Sequence, residues 1–319
     1  MIISASRRTD IPAFFSEWFM NRIRAGYCTA VNPFNRKQVS YISLKPEDVD
    51  IIVFWTKNPK PLMPHLNELN DRGFKFYFQY TLTGYDRWFE PNLPNWERSC
   101  ETFQKLSEAL PSGLVVWRYD PIIISNRTDE AYHLKRYAEI AATLKGYTER
   151  NIISLVDDYR KASAHFKRLK EQGIYVENIV DAAAIGFLIK NIAEIARENS
   201  MEIFSCAEPF DLMDCGVQHG KCIDDDYIQK HFGIVINEKK DNTQRIECGC
   251  IKSKDIGHYD TCQHGCAYCY AGTLPCGIKN MQLHNPESPS LLGYFDAVPS
   301  TETKKKKKLS KQINQGTLF

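Results

Sequence analysis

A chain of 319 residues has room for one large domain or two ordinary ones. Its 43% hydrophobic and 25% charged residues are those of a globular protein and exclude a fibrous or largely disordered one. A net charge of +2 gives no support to a polyanionic partner, and no run approaches the ~20 apolar residues of a membrane span. The opening MIISASRRTD lacks the apolar stretch of a signal peptide, so a cytoplasmic location is expected.

From the N-terminus, short apolar runs alternate with helical patterns, as repeated β-α units do. Strands are predicted at Ile2–Ser4, Tyr27–Val31, Asp50–Trp55, Lys75–Thr81, Leu114–Arg118, Ile152–Val156 and Glu202–Ser205. Most are continuously apolar, as strands buried on both faces tend to be. Helices are predicted at Pro12–Arg24, Pro61–Asp71, Trp96–Leu110, Asp129–Leu144, Lys161–Gln172 and Ala182–Glu198. In the last, Ile185, Leu188, Ile189, Ile192 and Ala196 form one apolar stripe. Gly26, Gly73, Gly113, Gly146 and Gly173 follow helix ends, where left-handed caps are common.

Beyond residue 206, helical periodicity is confined to Asp224–Phe232 and cysteines accumulate. Nine of the eleven cysteines lie between Cys206 and Cys276, and this crowding in a reducing compartment points to metal rather than disulfides. Cys28 and Cys100 sit in apolar-patterned segments and read as buried bystanders. The run Lys304 to Lys308 reads as a solvated end. The expected organisation is therefore residues 1–206 as an α/β domain, 207–293 as a cysteine-rich region packed on it, and 294–319 as a disordered basic tail. Seven strands in this order fit a partial or complete (β/α) barrel or a doubly wound sheet.

The segment Cys262-Gln263-His264-Gly265-Cys266-Ala267-Tyr268-Cys269 spaces three thiols as C-x3-C-x2-C. Three thiolates on one loop can hold three irons of a [4Fe–4S] cube and leave the fourth open for chemistry. The competing reading is a structural zinc site completed by Cys250, Cys276 or a nearby His. Cys206, Cys222, Cys248 and Cys250 supply enough thiols for a second closed site, iron–sulfur or zinc, with Cys215 as a substitute for one of them.

The trio, with Tyr268 before its last thiol, resembles the signature of the radical S-adenosylmethionine (SAM) enzymes. Together with SASRRTD, FWTKNP, WRYDP and HNPESP, it also resembles a bacterial and archaeal family known as a domain of unknown function. Spore photoproduct lyase is a more distant likeness. The radical SAM resemblance tips the fold towards the barrel, with the cysteine-rich region as a metal-binding cap. It implies a [4Fe–4S] cluster on Cys262, Cys266 and Cys269 that binds SAM. A flavodoxin or ferredoxin would supply the electron for its reductive cleavage, and an unidentified substrate would be attacked. The motif usually comes early in such chains; here it comes late and must fold back over the strand ends.

In a (β/α) barrel, chemistry gathers where strands finish. The segments there are polar: Ser6 to Asp10, Asn32 to Asn35, Thr56 to Asn58, Gln79 to Thr81, Arg118 to Asp120, Asp157-Asp158 and Cys206 to Glu208. Arg118 and Lys57 are candidates for a SAM carboxylate, Asp120 and Asn58 are their polar partners, and Tyr268 belongs to the same cofactor site. Arg7 and Arg8 could grip an anionic substrate or pair with Asp10 and a neighbouring carboxylate. Familiar nucleotide loops, G-x-S-x-G and H-E-x-x-H are absent. The rival in another class is a zinc-stabilised barrel acting as hydrolase or lyase. A nucleic-acid repair or modification protein is compatible with the first reading but unsupported by the charge.

Overall fold

The computed structural model describes residues 1–157, 159–179, 183–209 and 211–298. The expected tail around Lys304–Lys308, and Asp158, lie outside these residues. After β1 (Ile2–Ala5) come α1 (Ile11–Phe14), α2 (Ser16–Ala25), β2 (Tyr27–Asn32), β3 (Asn35–Ser43), β4 (Ile51–Thr56) and α3 (Leu66–Asp71). The middle of the chain alternates β5 (Phe76–Thr81), α4 (Trp96–Glu108), β6 (Val115–Ile122), α5 (Glu130–Leu144), β7 (Arg150–Leu155) and α6 (Arg160–Glu171). The rest supplies α7 (Gly186–Glu198), β8 (Glu202–Cys206), β9 (Gln218–Gly220), α8 (Asp225–Phe232), β10 (Lys254–Asp255) and α9 (Leu274–Met281).

Eight strands form one sheet in the order β10-β1-β4-β5-β6-β7-β8-β9, and every neighbouring pair is parallel. Parallel strands need a crossover of a dozen or more residues, and the helices supply it and cover the sheet. Strands β4 and β7 are buried or nearly so along their whole length, which is why β4 reads as an almost unbroken apolar run. Asn95 and Asp129 cap the N-termini of α4 and α5 by accepting from Arg98 N–H and Tyr132 N–H. Gly26 closes α2 at φ +76°, a conformation with no steric cost for glycine alone. No ladder joins β9 to β10 among the described residues, so the sheet is open.

Three expectations are corrected. Tyr27–Val31 is not a strand of the main sheet: it pairs antiparallel with β3 in a separate hairpin. Four of the six residues of β2 and eight of the nine of β3 are at least partly exposed, so the hairpin lacks the two-sided burial of a parallel strand. Pro12–Arg24 is two helices broken at Phe15. The region after residue 206 carries a helix, α9, that periodicity does not signal. It also supplies both edge strands of the sheet. Among the described residues, no helix is long and apolar enough to cross a membrane.

A cavity with two thiol walls: the candidate functional site

The C-terminal ends of the strands open into a cavity of about 430 Å³. Residues following β1 (Arg7), β4 (Lys57), β7 (Asp157) and β8 (Ala207), and Asp120 near the end of β6, all line it. So do Cys262, Cys266 and Cys269, together with Cys206, Cys222, Cys248 and Cys250. The two sets of thiols therefore share one space. Cys28 and Cys100 are buried in the core, Cys276 is exposed on α9, and Cys215 is half-buried; none of the four lines the cavity.

Register explains the convergence at the sheet edges. Pairing of Ser4 with Asp255 brings β10 against β1, where the Asp255 carboxylate accepts from Ser4 Oγ and Ser6 Oγ at 2.6 Å each and from Arg7 N–H at 2.9 Å. The chain then passes Ser6 so closely that a Cβ on Gly257 would lie 2.0 Å from Ser6 Oγ. The loop carrying the trio follows. At its far end α9 packs against it, and a Cβ on Gly277 would lie 2.4 Å from the Cys262 carbonyl oxygen. At the other edge Cys206 pairs with Gly220. That register carries Cys222, two residues on, to 2.9 Å from the Cys206 sulfur.

Two buried carboxylates tie the trio's loop to the sheet. Asp10 accepts from Ala13 N–H at 3.0 Å as the cap of α1, from Lys57 N–H at 2.8 Å, and from His264 Nε2 at 2.8 Å. Glu90 accepts from Lys57 Nζ and Thr83 Oγ1 at 2.7 Å each, and from the Tyr268 hydroxyl. Lys57 Nζ also lies 5.5 Å from the Tyr268 ring centroid. Burial works against the Lys57 charge, but Glu90, with Cys266 and Asp120, outweighs it and holds the ammonium above its ordinary pKa.

Each thiol of the trio is held up by burial, Cys266 to about 12. Each also faces donors that favour the thiolate: His264 N–H for Cys262, Lys57 and Tyr268 for Cys266, and the N–H groups of Ala271 and Gly272 for Cys269. Donors aimed at sulfur are what thiolate ligands of a metal require. Among the described residues, the set of metal-ligand side chains whose atoms lie within 4.8 Å of one another is Asp224, Asp225 and Asp226, so no three sulfurs are that close. The acidic set is already engaged: Asp224 caps α8 and pairs with Arg150 at 2.7 Å, and Lys221 holds the other two.

Of the residues singled out from sequence for a cofactor, Lys57, Arg118, Asp120 and Tyr268 line the cavity. Asn58 does not: its side chain accepts from Lys60 N–H at 3.3 Å and serves the turn after β4. Lys57 gives its head group to Glu90. Arg118 donates to Cys222 Sγ at 2.8 Å, to Gln79 Oε1 at 3.4 Å and to Asp120. Burial disfavours charge on Asp120, yet Arg118 and Ser154 together hold its carboxyl below the usual range. Arg7 and Arg8 do not pair with Asp10. Arg7 reaches Asp241 at 3.7 Å and Arg8 reaches Asp255 at 3.9 Å. The Asn32–Asn35 segment turns the hairpin instead of entering the cavity. Sequence reasoning missed Glu90 and Asp255. The one hint to Asp255 is its place just upstream of the trio; Glu90, in WFEPN, carries no signal.

Glu208, behind Leu155, accepts Leu155 N–H at 2.8 Å. Burial raises its pKa to about 7, above the ~4.3 of an unfolded chain. Its protonated form therefore favours the folded state below about pH 4.3, and that advantage is lost as pH rises through about 7. Glu208→Gln keeps the accepting oxygen without the charge. In urea titrations it is expected to be near neutral at pH 4 and stabilising by about 2–3 kcal/mol at pH 8. A pH-independent difference would contradict this account.

Neither a comparison with curated proteins nor one with solved structures returned a match. One protein family does match, described as "Domain of unknown function (DUF1848)", over residues 2–271. That span includes every strand of the sheet and all seven cavity thiols, and the chain belongs to this family.

Proposed function

We propose that this protein is an iron–sulfur enzyme of the radical SAM kind, with Cys262, Cys266 and Cys269 holding a [4Fe–4S] cluster. The observation that carries the reading is the meeting of that trio with Arg7, Lys57 and Asp120, all far from it in sequence, in one cavity at the strand ends. In this reading the sheet is a partial (β/α) barrel, and the cysteine-rich region caps it. When bound, the cluster supplies the electron that cleaves the sulfonium of SAM, itself received from a flavodoxin or ferredoxin. The residues of the chain hold and shield it. Asp10 and Glu90 fix the loop, and donors to each sulfur keep the thiolates in place. Trp55 and Tyr268 give the cavity apolar walls, and Arg7, whose guanidinium carbon lies 5.7 Å from the Trp55 ring centroid, offers a cation to a carboxylate.

The test is anaerobic loading with iron and sulfide, then SAM and a strong reductant, with 5′-deoxyadenosine measured by chromatography. The reading predicts its formation in parallel with a broad visible absorbance of the cluster. Protein that binds stoichiometric zinc, takes up no iron and leaves SAM intact would instead identify a zinc-stabilised hydrolase or lyase.

A further inference from the structure

A second part of the cavity lining is built from thiols that three separate segments deliver. Cys206 ends β8, Cys222 precedes α8, and Cys248 and Cys250 lie on the loop before β10. Free cysteines often pack in cores as small apolar groups, but these four line the cavity, and polar groups are aimed at sulfurs among them. Cys250 Sγ accepts from Cys222 N–H at 3.3 Å and from Ile223 N–H at 3.4 Å. Cys222 Sγ accepts from the Arg118 guanidinium at 2.8 Å and stands 2.9 Å from Cys206 Sγ. The Cys222 carbonyl is pinned from β5 by Tyr77 Oη at 2.7 Å and Gln79 Nε2 at 2.8 Å. Gly220 is also required, since a Cβ there would lie 2.7 Å from Phe204 Cβ. Two amides and a buried guanidinium directed at sulfur stabilise negative charge, the form in which sulfur binds metal.

We propose that Cys206, Cys222, Cys248 and Cys250 form a second metal centre of four thiolates, in the same cavity as the first, with Arg118 as its positioning cation. Arg118 then belongs to this centre rather than to a SAM carboxylate. The proposal is independent of the SAM reading, because it rests on a different set of thiols.

Native mass spectrometry of the fully loaded parent chain tests it without any substitution. Two metal centres per chain are expected, and a single centre overturns the proposal. The triple variant Cys262→Ala/Cys266→Ala/Cys269→Ala, checked by circular dichroism, should retain one centre. That centre is identified as a cube by about four irons and four sulfides, or as a closed ion by one zinc. With cobalt(II) alone, the same variant should develop a thiolate charge-transfer band, and adding Cys222→Ser and Cys250→Ser should remove it. A band that survives those changes sinks the assignment. In the triple background, Arg118→Met should weaken cobalt binding about 10–100-fold, and Arg118→Lys should recover part of the loss. Unchanged affinity in Arg118→Met would remove Arg118 from the centre. Failure of the parent to form 5′-deoxyadenosine would defeat the SAM reading and leave these counts unaffected.

Discussion

Cys266→Ala is expected to reduce 5′-deoxyadenosine formation below detection while leaving far-ultraviolet circular dichroism unchanged. Cys266 is buried, lines the cavity and faces the Lys57 ammonium and the Tyr268 hydroxyl. A cube that loses one of three ligands is lost or cannot present its open iron. The folding cost is small by comparison. Removing one sulfur from the cavity wall is an ordinary substitution of about 1 kcal/mol, and the main apolar core contains none of the three thiols. A structural zinc reverses the pattern, because metal binding in such sites is itself folding free energy. Cys266→Ala protein with a collapsed denaturation midpoint and unchanged SAM turnover would refute the proposed role.

Glu90→Ala is expected to be the most destabilising single change around the site, at about 3–5 kcal/mol in urea denaturation of the metal-free chain. Glu90 and Lys57 side chains are 6% and 12% exposed. The pair is therefore buried, and the weak contribution of surface ion pairs, about 0–1 kcal/mol, does not apply to it. Truncation strands a buried ammonium and leaves Thr83 and Tyr268 without an acceptor. The control is Glu90→Gln with Lys57→Met, which removes both charges and should recover most of the loss, since the cost lies in the unpaired ion. A loss below about 1 kcal/mol for Glu90→Ala would mean the pair behaves as a surface one. Loosening of the trio's loop should follow too, as Tyr268 is one of the side chains that tie it to the strand ends.

Much of the fold is legible in the sequence because its signals are local. Six of the seven predicted strands join the main sheet, since two-sided burial in a parallel sheet demands continuous apolar runs such as Ile51–Phe54. The glycines predicted as helix ends adopt positive φ for the same kind of reason. Tyr27–Val31 departs from its predicted place because apolar alternation does not tell a hairpin from a sheet strand. Strands β9 and β10, three and two residues long, are too short to carry any pattern.

The thiol spacing 262–266–269 and the crowding of cysteines are set by sequence alone, as is the polar character of the strand ends. What only the tertiary structure decided is which of these groups meet. Registers at the two sheet edges bring Asp255 to Ser4 and Cys222 to Cys206, across 251 and 16 residues. Glu90 binds Tyr268 over a separation of 178 residues. Contacts of that range depend on strand order and register, which a sequence pattern does not encode. The partners of Lys57 and Arg118 within the chain are likewise a tertiary matter: a charged side chain in a cavity goes to the partner that best offsets its desolvation, here Glu90 for the lysine and Asp120 with Cys222 for the arginine.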